Sequence, residues 1–376
     1  MLVKKIEIYP IFDSIGNKTI ETKIEAILDG KHLELISSSP SGASKSRYEA
    51  PVIPIETAIK HLNKIKSELC DNHSQESFDK ILRKNIKILG SQATTALSMA
   101  FFSSNRPRKS FPNMLGNVFE GGVHVPHETK NWIQEILLTP KAASLPEAIK
   151  INSDIWKEVG EAVKAKGHHH SLGFESGWTA NVAAEEALDI VSGIAKQHKA
   201  RIGVDAAASS FYKKGKYIVA NKEMKKDQYF DYILEISRTY KLFYIEDPFH
   251  QDDFKSFAQF RKKTKALVCG DDLTSTNMAR LKKAVKHNSI NAMIIKPNQI
   301  GTITDSLKCI EFCKKKKIMP VVSHRAGETD SDSKAMALLS QHAPIAKFGI
   351  AGERKNKLNE LLRMWHSTKG RRMSRI

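Results

Sequence analysis

Residues 199–349 contain five short apolar runs, and each run ends in a side chain that can do chemistry. The runs are IGVD at 202–205, LFYIE at 242–246, LVCGD at 267–271, MIIK at 293–296 and PVVSHR at 320–325. An amphipathic helical pattern follows each of the last four runs. The spacing between runs suits a strand, a helix and two short loops, so this segment is predicted to be a series of βα units.

The predicted strands end in Asp205, Glu246, Asp271, Lys296 and His324. In a parallel barrel, the carboxyl ends of the strands converge on one mouth, where active sites lie. Three carboxylates gathered there would repel one another unless a divalent cation lay between them, and such oxygen ligands favour Mg²⁺ over zinc. One Asp after a strand is usually a helix N-cap, so the prediction depends on the whole set.

The composition is that of a globular protein with a large core: 376 residues, 41% hydrophobic and 27% charged. Residues 3–39 read as three strands and residues 55–104 as helices, which together form an antiparallel sheet covered by helices. A proline-bearing linker at 107–112 follows, so we expect an N-terminal α+β domain at 1–110 and a βα barrel at 111–376. No apolar run is long enough to span a bilayer or to act as a signal peptide, and the four cysteines show no disulfide framework, so a cytoplasmic location is expected.

The formal net charge is +19, which is high for a metabolic enzyme. Attraction to polyanions, including nucleic acid, is one interpretation, and a lysine-rich solvated surface is the other. No nucleic-acid-binding motif accompanies the charge, so nucleic acid is possible but not expected as a partner. Three consecutive histidines at 168–170 suggest a metal site, but consecutive residues on an extended chain point in different directions, which favours a solvated loop.

Nine segments resemble the motifs of the enolase family, in collinear order over nearly the whole chain. They are FDSIGN (12–17), PSGAS (40–44), GGVH (121–124), QE (134–135), GFESG (173–177), IEDP (245–248), GDDL (270–273), IKPNQIGT (295–302) and SHRAGET (323–329). The resemblance implies a small α+β domain followed by a modified, TIM-like βα barrel. It also implies Mg²⁺-dependent, reversible dehydration of 2-phosphoglycerate to phosphoenolpyruvate, in glycolysis or gluconeogenesis.

The same resemblance implies a role for each matching residue. Asp205, Glu246 and Asp271 would bind a first Mg²⁺, and Ser44 on a mobile lid would help to bring a second. The residues implied in catalysis are the base Lys296, the acid-side pair Glu175 and Glu135, and the pocket histidines His124 and His324. Those implied in substrate binding are Arg325 for the phosphate, Lys347 for the carboxylate, and Ser323 and Ser44.

The chemistry explains why such residues are needed. The proton removed lies α to a carboxylate and is very weakly acidic, so cations on that carboxylate must stabilise the charge that develops. Pairing of a Lys or His base with Mg²⁺ is a recognised feature of enolase-superfamily sites. Near Mg²⁺, Lys296 should lose its proton more readily. Hydroxide is a poor leaving group, so a protonated carboxyl such as Glu175 would assist its departure.

Several residues depart from the family's motifs. Phe174 stands for an aspartate, Ser176 for a glycine and Ala326 for a phosphate-contacting serine. These changes leave open a dehydratase for another α-hydroxy acid, and the charge leaves open an RNA-binding or polyanion-binding paralogue. Glu21 and Arg363 match the family's intersubunit ion pair, so a homodimer or higher homo-oligomer is expected.

Overall fold

The computed structural model describes residues 1–42, 46–125, 129–168 and 170–376. Its first part is an antiparallel sheet of β1 (Leu2–Phe12), β2 (Lys18–Leu28) and β3 (Lys31–Ser38). Three helices follow: α1 (Ile55–Leu69), α2 (Gln75–Lys84) and α3 (Ile86–Phe102). Alternate residues of β2, such as Ile20 and Ile24, are fully buried against these helices, because successive side chains of a strand face opposite sides.

The second part alternates strands and helices. Its first half contains β4 (Ser110–Phe111), β5 (Asn113–Met114), β6 (Gly116–Glu120), β7 (Glu135–Pro140), α4 (Leu145–Ala165), β8 (His170–Leu172), β9 (Trp178–Ala180), α5 (Ala184–Gln197), β10 (Ala200–Asp205), β11 (Tyr212–Lys213), β12 (Lys216–Val219), β13 (Lys222–Met224) and α6 (Lys226–Thr239). Its second half contains β14 (Tyr244–Glu246), α7 (Phe254–Lys263), β15 (Leu267–Gly270), α8 (Met278–His287), β16 (Ala292–Ile295), α9 (Pro297–Ile300), α10 (Ile303–Lys315), β17 (Met319–Ser323), α11 (Ser333–Ser340), β18 (Ile345–Lys347), α12 (Lys355–Ser367) and β19 (Arg372–Met373).

The main sheet closes into a barrel. Residues 113–120 pair with β18 through β5 and with β7 through β6, and the sheet continues through β10, β14, β15, β16 and β17. Counting β5 and β6 as one strand, the described residues form a ring of eight. The strands from β10 onward are parallel, whereas β7 runs antiparallel to both of its neighbours. The expected modified βα barrel is therefore present.

A small apolar cluster fills the inside of this ring. It takes one or two side chains from seven of the eight strands or their immediate ends: Leu115, Leu137, Tyr244, Cys269, Ala292, Ile294, Val321 and Ile345. The larger cluster lies between the strands and the outer helices. Because apolar side chains fill the interior of the barrel, polar functional groups are expected at its mouth, at the carboxyl ends of the parallel strands.

Two expectations about the chain concern its boundaries. The sequence predicts a strand that begins at Trp132, whereas β7 begins at Glu135. Residues 129–134 form irregular structure instead, and the Gln134 N–H donates to the Asp205 carbonyl at 3.0 Å. The apolar clusters of the first and second parts meet on α3, where Met99 and Phe102 already pack on the barrel side. The boundary near residue 110 stays a prediction.

The helices of the described residues include none that is long and apolar enough to cross a membrane. Cys269, Cys309 and Cys313 are buried thiols, and Cys70 is half-buried. The histidine run at 168–170 is only partly described. His168 contacts Glu186 at 3.1 Å, and His170 lies in β8. These two histidines therefore belong to strand β8 and the residues just before it.

Candidate active site

Asp205, Glu246 and Asp271 follow three neighbouring strands, β10, β14 and β15. In the parallel register, Asp205 lies opposite Glu246, and Glu246 lies opposite Cys269, two residues before Asp271. Asp205 and Glu246 are buried. Burial raises the pKa of Asp205 to about 6, and burial together with Asp205 raises that of Glu246 to about 8. The three carboxylates therefore form one arc of the mouth.

Lys347 ends β18 and crosses the mouth to this arc. Its Nζ lies 3.1 Å from Asp205, 3.0 Å from Glu246 and 3.0 Å from Glu135. Burial opposes the charge of this lysine, but the three carboxylates outweigh burial and raise its pKa well above the usual value. Lys347 is therefore a permanent cation in the centre of the site.

Lys296 follows β16, and its Nζ donates a short hydrogen bond to Asp271. Burial alone would lower the pKa of Lys296, but the attraction of Asp271 is stronger and raises it. Asp271 also accepts from the Gln299 amide at 2.9 Å. Because a base must be neutral before it accepts a proton, the contact between Asp271 and Lys296 controls whether Lys296 can act as one.

The other side of the mouth carries two buried glutamates, Glu135 and Glu175. Burial and the charge of Glu175 raise the pKa of Glu135 to about 8. Burial also acts against ionisation of Glu175, but His324 at 2.9 Å and His124 outweigh it and lower the pKa of Glu175. The pKa values of the two glutamates are therefore shifted in opposite directions, which favours the proton on Glu135 over Glu175.

Glu120, at the end of β6, holds the loop that carries Glu175, a role that sequence reasoning missed. Its buried carboxylate accepts backbone N–H groups of Glu175, at 3.1 and 3.2 Å, and of Gly177. A Cβ on Gly173 would come within 2.5 Å of this carboxylate, so the flanking glycine is needed for the close approach. A glutamate at the end of a predicted apolar run is the one feature of the sequence that could have pointed to this role.

The loop also absorbs one of the departures from the family motif. Ser176 has a positive φ of 62°, a conformation that suits the glycine of the motif better than a serine. The indole N–H of Trp156 donates to the Ser176 carbonyl at 2.9 Å. On the other side, a Cβ on Gly352 would lie 2.1 Å from Ser176 Oγ. The absence of a side chain at Gly352 thus makes room for Ser176.

Arg325 is buried, and its guanidinium contacts the side chains of Glu49 and Asn298, among others. It donates to Glu49, at 3.2 and 3.3 Å, and to Asn298 at 3.0 Å. Glu49 lies five residues after Ser44, which belongs to the predicted lid. The carboxylate of Glu49 therefore contacts the group that the resemblance assigns to phosphate. Ser323 donates to the His324 carbonyl at 3.1 Å.

The loop that carries His324 and Arg325 is fixed from below by α12 and the residue before it. Arg354, fully buried, donates to the backbone oxygens of Arg325 and Ala326. Lys357 is also fully buried and lies 2.7 Å from both Glu328 and Asp332. These two cations were missed by the sequence interpretation, because their place on a helix near the C-terminus gives no hint that they point inward.

A small, narrow pocket with a cavity volume of about 20 Å³ lies between these groups. Its lining includes ten of the expected residues or their immediate neighbours: His124, Glu135, Glu175, Asp205, Asp271, Lys296, Ser323, Arg325, Ala326 and Lys347. Glu246 and His324 reach it through Lys347 and Glu175. Ser44, expected to contribute to both metal and substrate binding, lies outside the described residues.

Two sets of side chains could hold a metal ion. Among the described residues, the donor atoms of His124, Glu135 and Glu175 lie within 4.8 Å of one another. The oxygens of Asp205, Glu246 and Asp271 are drawn instead toward Lys347 and Lys296. The raised pKa values of Asp205 and Glu246 indicate that the lysines do not fully offset the cost of burying these charges. An all-oxygen set with an excess of negative charge fits a hard divalent cation.

Comparison with known proteins identifies the family of the chain. Residues 108–370 match the family model described as the enolase C-terminal TIM barrel domain. A protein named enolase from Picrophilus torridus is 33% identical, over 96% of this chain and 98% of that protein. Proteins of the same name from Methanosphaera stadtmanae and Archaeoglobus fulgidus are 34% and 31% identical, over 96% and 97% of both chains. With the barrel, its mouth and nearly the full length in agreement, the chain belongs to the enolase family.

Proposed function

We propose that the protein is a Mg²⁺-dependent phosphopyruvate hydratase, which reversibly dehydrates 2-phosphoglycerate to phosphoenolpyruvate. The observation that carries the proposal is the position of the two proton-transfer groups. Lys296 follows β16 and Glu135 begins β7, and four steps separate these strands in either direction around the ring of eight. A base and an acid on opposite sides of a substrate are the arrangement that elimination of a proton and a hydroxide requires.

The arcs between these two groups differ in charge. Asp205, Glu246 and Asp271 occupy one arc, and Lys347 with Arg325 comes from the other. We infer that the carboxylates hold the metal, because Mg²⁺ prefers oxygen ligands. When bound, Mg²⁺ would supply electrostatic stabilisation of the negative charge that develops on the substrate carboxylate.

Side chains of the protein would carry out proton abstraction, substrate binding and protonation of the leaving hydroxyl group. The ion pair between Asp271 and Lys296 must weaken before Lys296 can take the proton α to the carboxylate. Lys347 would neutralise that carboxylate, and Arg325 would hold the phosphate through its planar donor fork. The protonated member of the Glu135 and Glu175 pair would then donate to the departing hydroxyl.

The test is a turnover assay of the full chain. Formation of phosphoenolpyruvate from 2-phosphoglycerate is followed by ultraviolet absorbance, with Mg²⁺ titrated into metal-stripped protein. We expect saturable, Mg²⁺-dependent turnover. No phosphoenolpyruvate at any Mg²⁺ concentration would contradict the proposal and direct attention to other α-hydroxy acids with an anionic tail. Phe174 and Ala326 are the departures that motivate that second substrate class.

Exchange of Glu49 tests the phosphate assignment of Arg325. The Glu49→Gln variant keeps the size of the side chain but removes the charge that competes with an anion for Arg325. We expect inorganic phosphate to bind about tenfold more tightly, since one charge-assisted hydrogen bond is worth about 1.5 kcal/mol or more. Isothermal titration of metal-stripped protein measures this.

The matched control for this experiment is Glu56→Gln, an exposed glutamate on α1 in the same part of the chain. It removes the same charge without touching Arg325, so phosphate affinity should stay unchanged. Equal affinities for the Glu49 variant and the native chain would remove Arg325 from the phosphate site.

We also infer a cytoplasmic homodimer. The family's intersubunit pair corresponds to Glu21 and Arg363, and Arg363 is exposed. Glu21 accepts hydrogen bonds from Tyr9 at 2.7 Å and Ser331 at 2.6 Å within the chain, so its carboxylate is already oriented by two hydroxyl groups. Light scattering of the native chain is the measurement, and a monomer mass would contradict the inference.

A further inference from the structure

The amino end of the barrel, opposite the mouth, carries a concentrated positive surface. Three stretches of the sequence contribute to it: 105–114, 312–318 and 361–376, none of which contains an aspartate or a glutamate. We use the name amino-end basic face for its central cations: Arg108, Lys109, the four lysines at 314–317, Arg371 and Arg372. All of them are exposed.

The fold brings these stretches together. Strand β19 of the C-terminal tail pairs with β4, so that Arg372 lies opposite Ser110 and its N–H donates to the Lys109 carbonyl at 2.9 Å. The backbone of Arg108 exchanges hydrogen bonds of 2.8 and 3.1 Å with the Gln341 side chain, just before β18. The lysines at 314–317 precede β17. All three stretches therefore lie where the parallel strands begin, about a strand length of 16 Å from the mouth.

The cations of the face lie close to one another, with Glu311 as an acidic neighbour of Lys314. Burial and the nearby charge of Arg108 lower the pKa of Lys314, and Glu311 acts against them. Burial, Arg108 and Lys314 lower the pKa of His342, between α11 and β18, to about 4. Within the described parts of the chain, none of the cations of the amino-end basic face forms an ion pair, whereas other surface cations do. Like charges held together repel one another, and a bound polyanion would relieve that repulsion.

We propose that the amino-end basic face binds the phosphate backbone of nucleic acid, as a function separate from the catalytic mouth. A nucleic-acid strand presents phosphates at regular short intervals, so one ligand can contact several of these cations at once. Guanidinium groups such as Arg108 and Arg372 match phosphate oxygens through paired hydrogen bonds.

The other residues of the face define the kind of recognition. Of the aromatic side chains beside it, Phe111 and Trp365 are buried against each other, and Phe312 is half-buried beneath Lys316. None of these three rings is a fully exposed stacking surface for bases. Binding is therefore to the backbone and independent of base sequence. A membrane surface fits less well, because Ile376 is the one large apolar residue of the described tail that is exposed.

The experiment uses the full-length chain and a fluorescent single-stranded RNA of about 30 nucleotides, with fluorescence anisotropy as the readout. We expect a Kd in the micromolar range near physiological salt. Affinity should fall with salt concentration at a logarithmic slope of about −3 to −4, which corresponds to about four to six neutralised phosphates. Scrambling the RNA sequence should leave affinity unchanged.

A triple variant, Arg108→Glu, Lys109→Glu and Arg372→Glu, tests the position of the surface. These side chains are exposed, and the hydrogen bonds that Arg108, Lys109 and Arg372 make to the described residues run through their backbone atoms, so the fold should be retained. We expect RNA affinity to fall at least tenfold and the salt slope to become shallower. Turnover at the mouth should be unchanged, which separates this inference from the proposed enzymatic function.

The control reverses as many charges on another part of the same barrel, at Lys213, Lys214 and Lys222 on the strands β11 to β13. These lysines are exposed, but they lie beside Glu223, which pairs with Lys216. RNA affinity of this control should change less than threefold. An equal loss in both triple variants would overturn the proposal, since the binding would then follow bulk charge. Absence of RNA binding by the native chain, or tighter binding to anionic phospholipid vesicles than to RNA, would overturn it as well.

Discussion

Replacing Lys296 by alanine should lower kcat for the proposed dehydration by about 10³-fold, because general-base catalysis contributes about 10²–10⁴-fold. The loss should appear in kcat rather than in KM, since Lys296 acts on the proton that is removed and contributes little to holding the substrate. Lys296 follows β16 and lines the pocket, where its Nζ donates to Asp271. Steady-state turnover with saturating Mg²⁺ measures the effect.

The variant must also be shown to fold and to keep its ligand sites. Removal of Lys296 frees one oxygen of Asp271, so Mg²⁺ affinity, measured by titration calorimetry, should be equal or higher. Lys308→Ala provides a matched control, because this lysine is exposed on α10 and pairs only with Glu76 at the surface. A folded Lys296 variant that retained a tenth or more of native turnover would rule out Lys296 as the base.

Replacing Lys357 by methionine should lower the free energy of unfolding by about 3–5 kcal/mol, because it leaves two buried carboxyl groups without their shared cation. Lys357 lies 2.7 Å from both Glu328 and Asp332, and all three side chains are almost fully buried. Its removal should also lower turnover, since Glu328 belongs to the loop that carries His324 and Arg325. Urea denaturation at several pH values measures the stability change.

The pH dependence gives this second prediction its sign. Burial already raises the pKa of Asp332 from 3.8 to about 7, and Lys357 is the neighbour that restrains the rise. Without Lys357 the pKa of Asp332 in the folded state climbs further. The folded state then binds more protons than the unfolded state over this range, so stability falls as pH rises. We therefore expect a larger loss at pH 8 than at pH 5.

The control for this series is Lys355→Met, two residues away on the same helix but exposed. It should change the free energy of unfolding by less than about 0.5 kcal/mol at either pH. A loss for Lys357→Met that was the same at pH 5 and pH 8 would contradict the account, because lost packing alone has no pH dependence.

The fold class and most of the groups that line the mouth could be predicted from the amino-acid pattern alone. Runs such as LFYIE and MIIK have the length and composition of buried parallel strands. The polar residue that ends each run must therefore lie at the edge of the sheet where parallel strands end. This local rule places Glu246 and Lys296 without knowledge of any contact. It works because the strand period and the βα connection are short-range properties of the chain.

Which side chains of the mouth face one another is visible only in the folded chain. The sequence does not show that β7 inserts antiparallel between β6 and β10, and this insertion is what puts Glu135 across the ring from Lys296. Nor does it show that Glu120, Arg354 and Lys357 turn inward to hold the catalytic loops, or that the tail pairs with β4 to build the basic face. These contacts join residues far apart in the chain, and their partners are chosen by barrel closure and by the need to pair buried charges, neither of which leaves a periodic signal in the sequence.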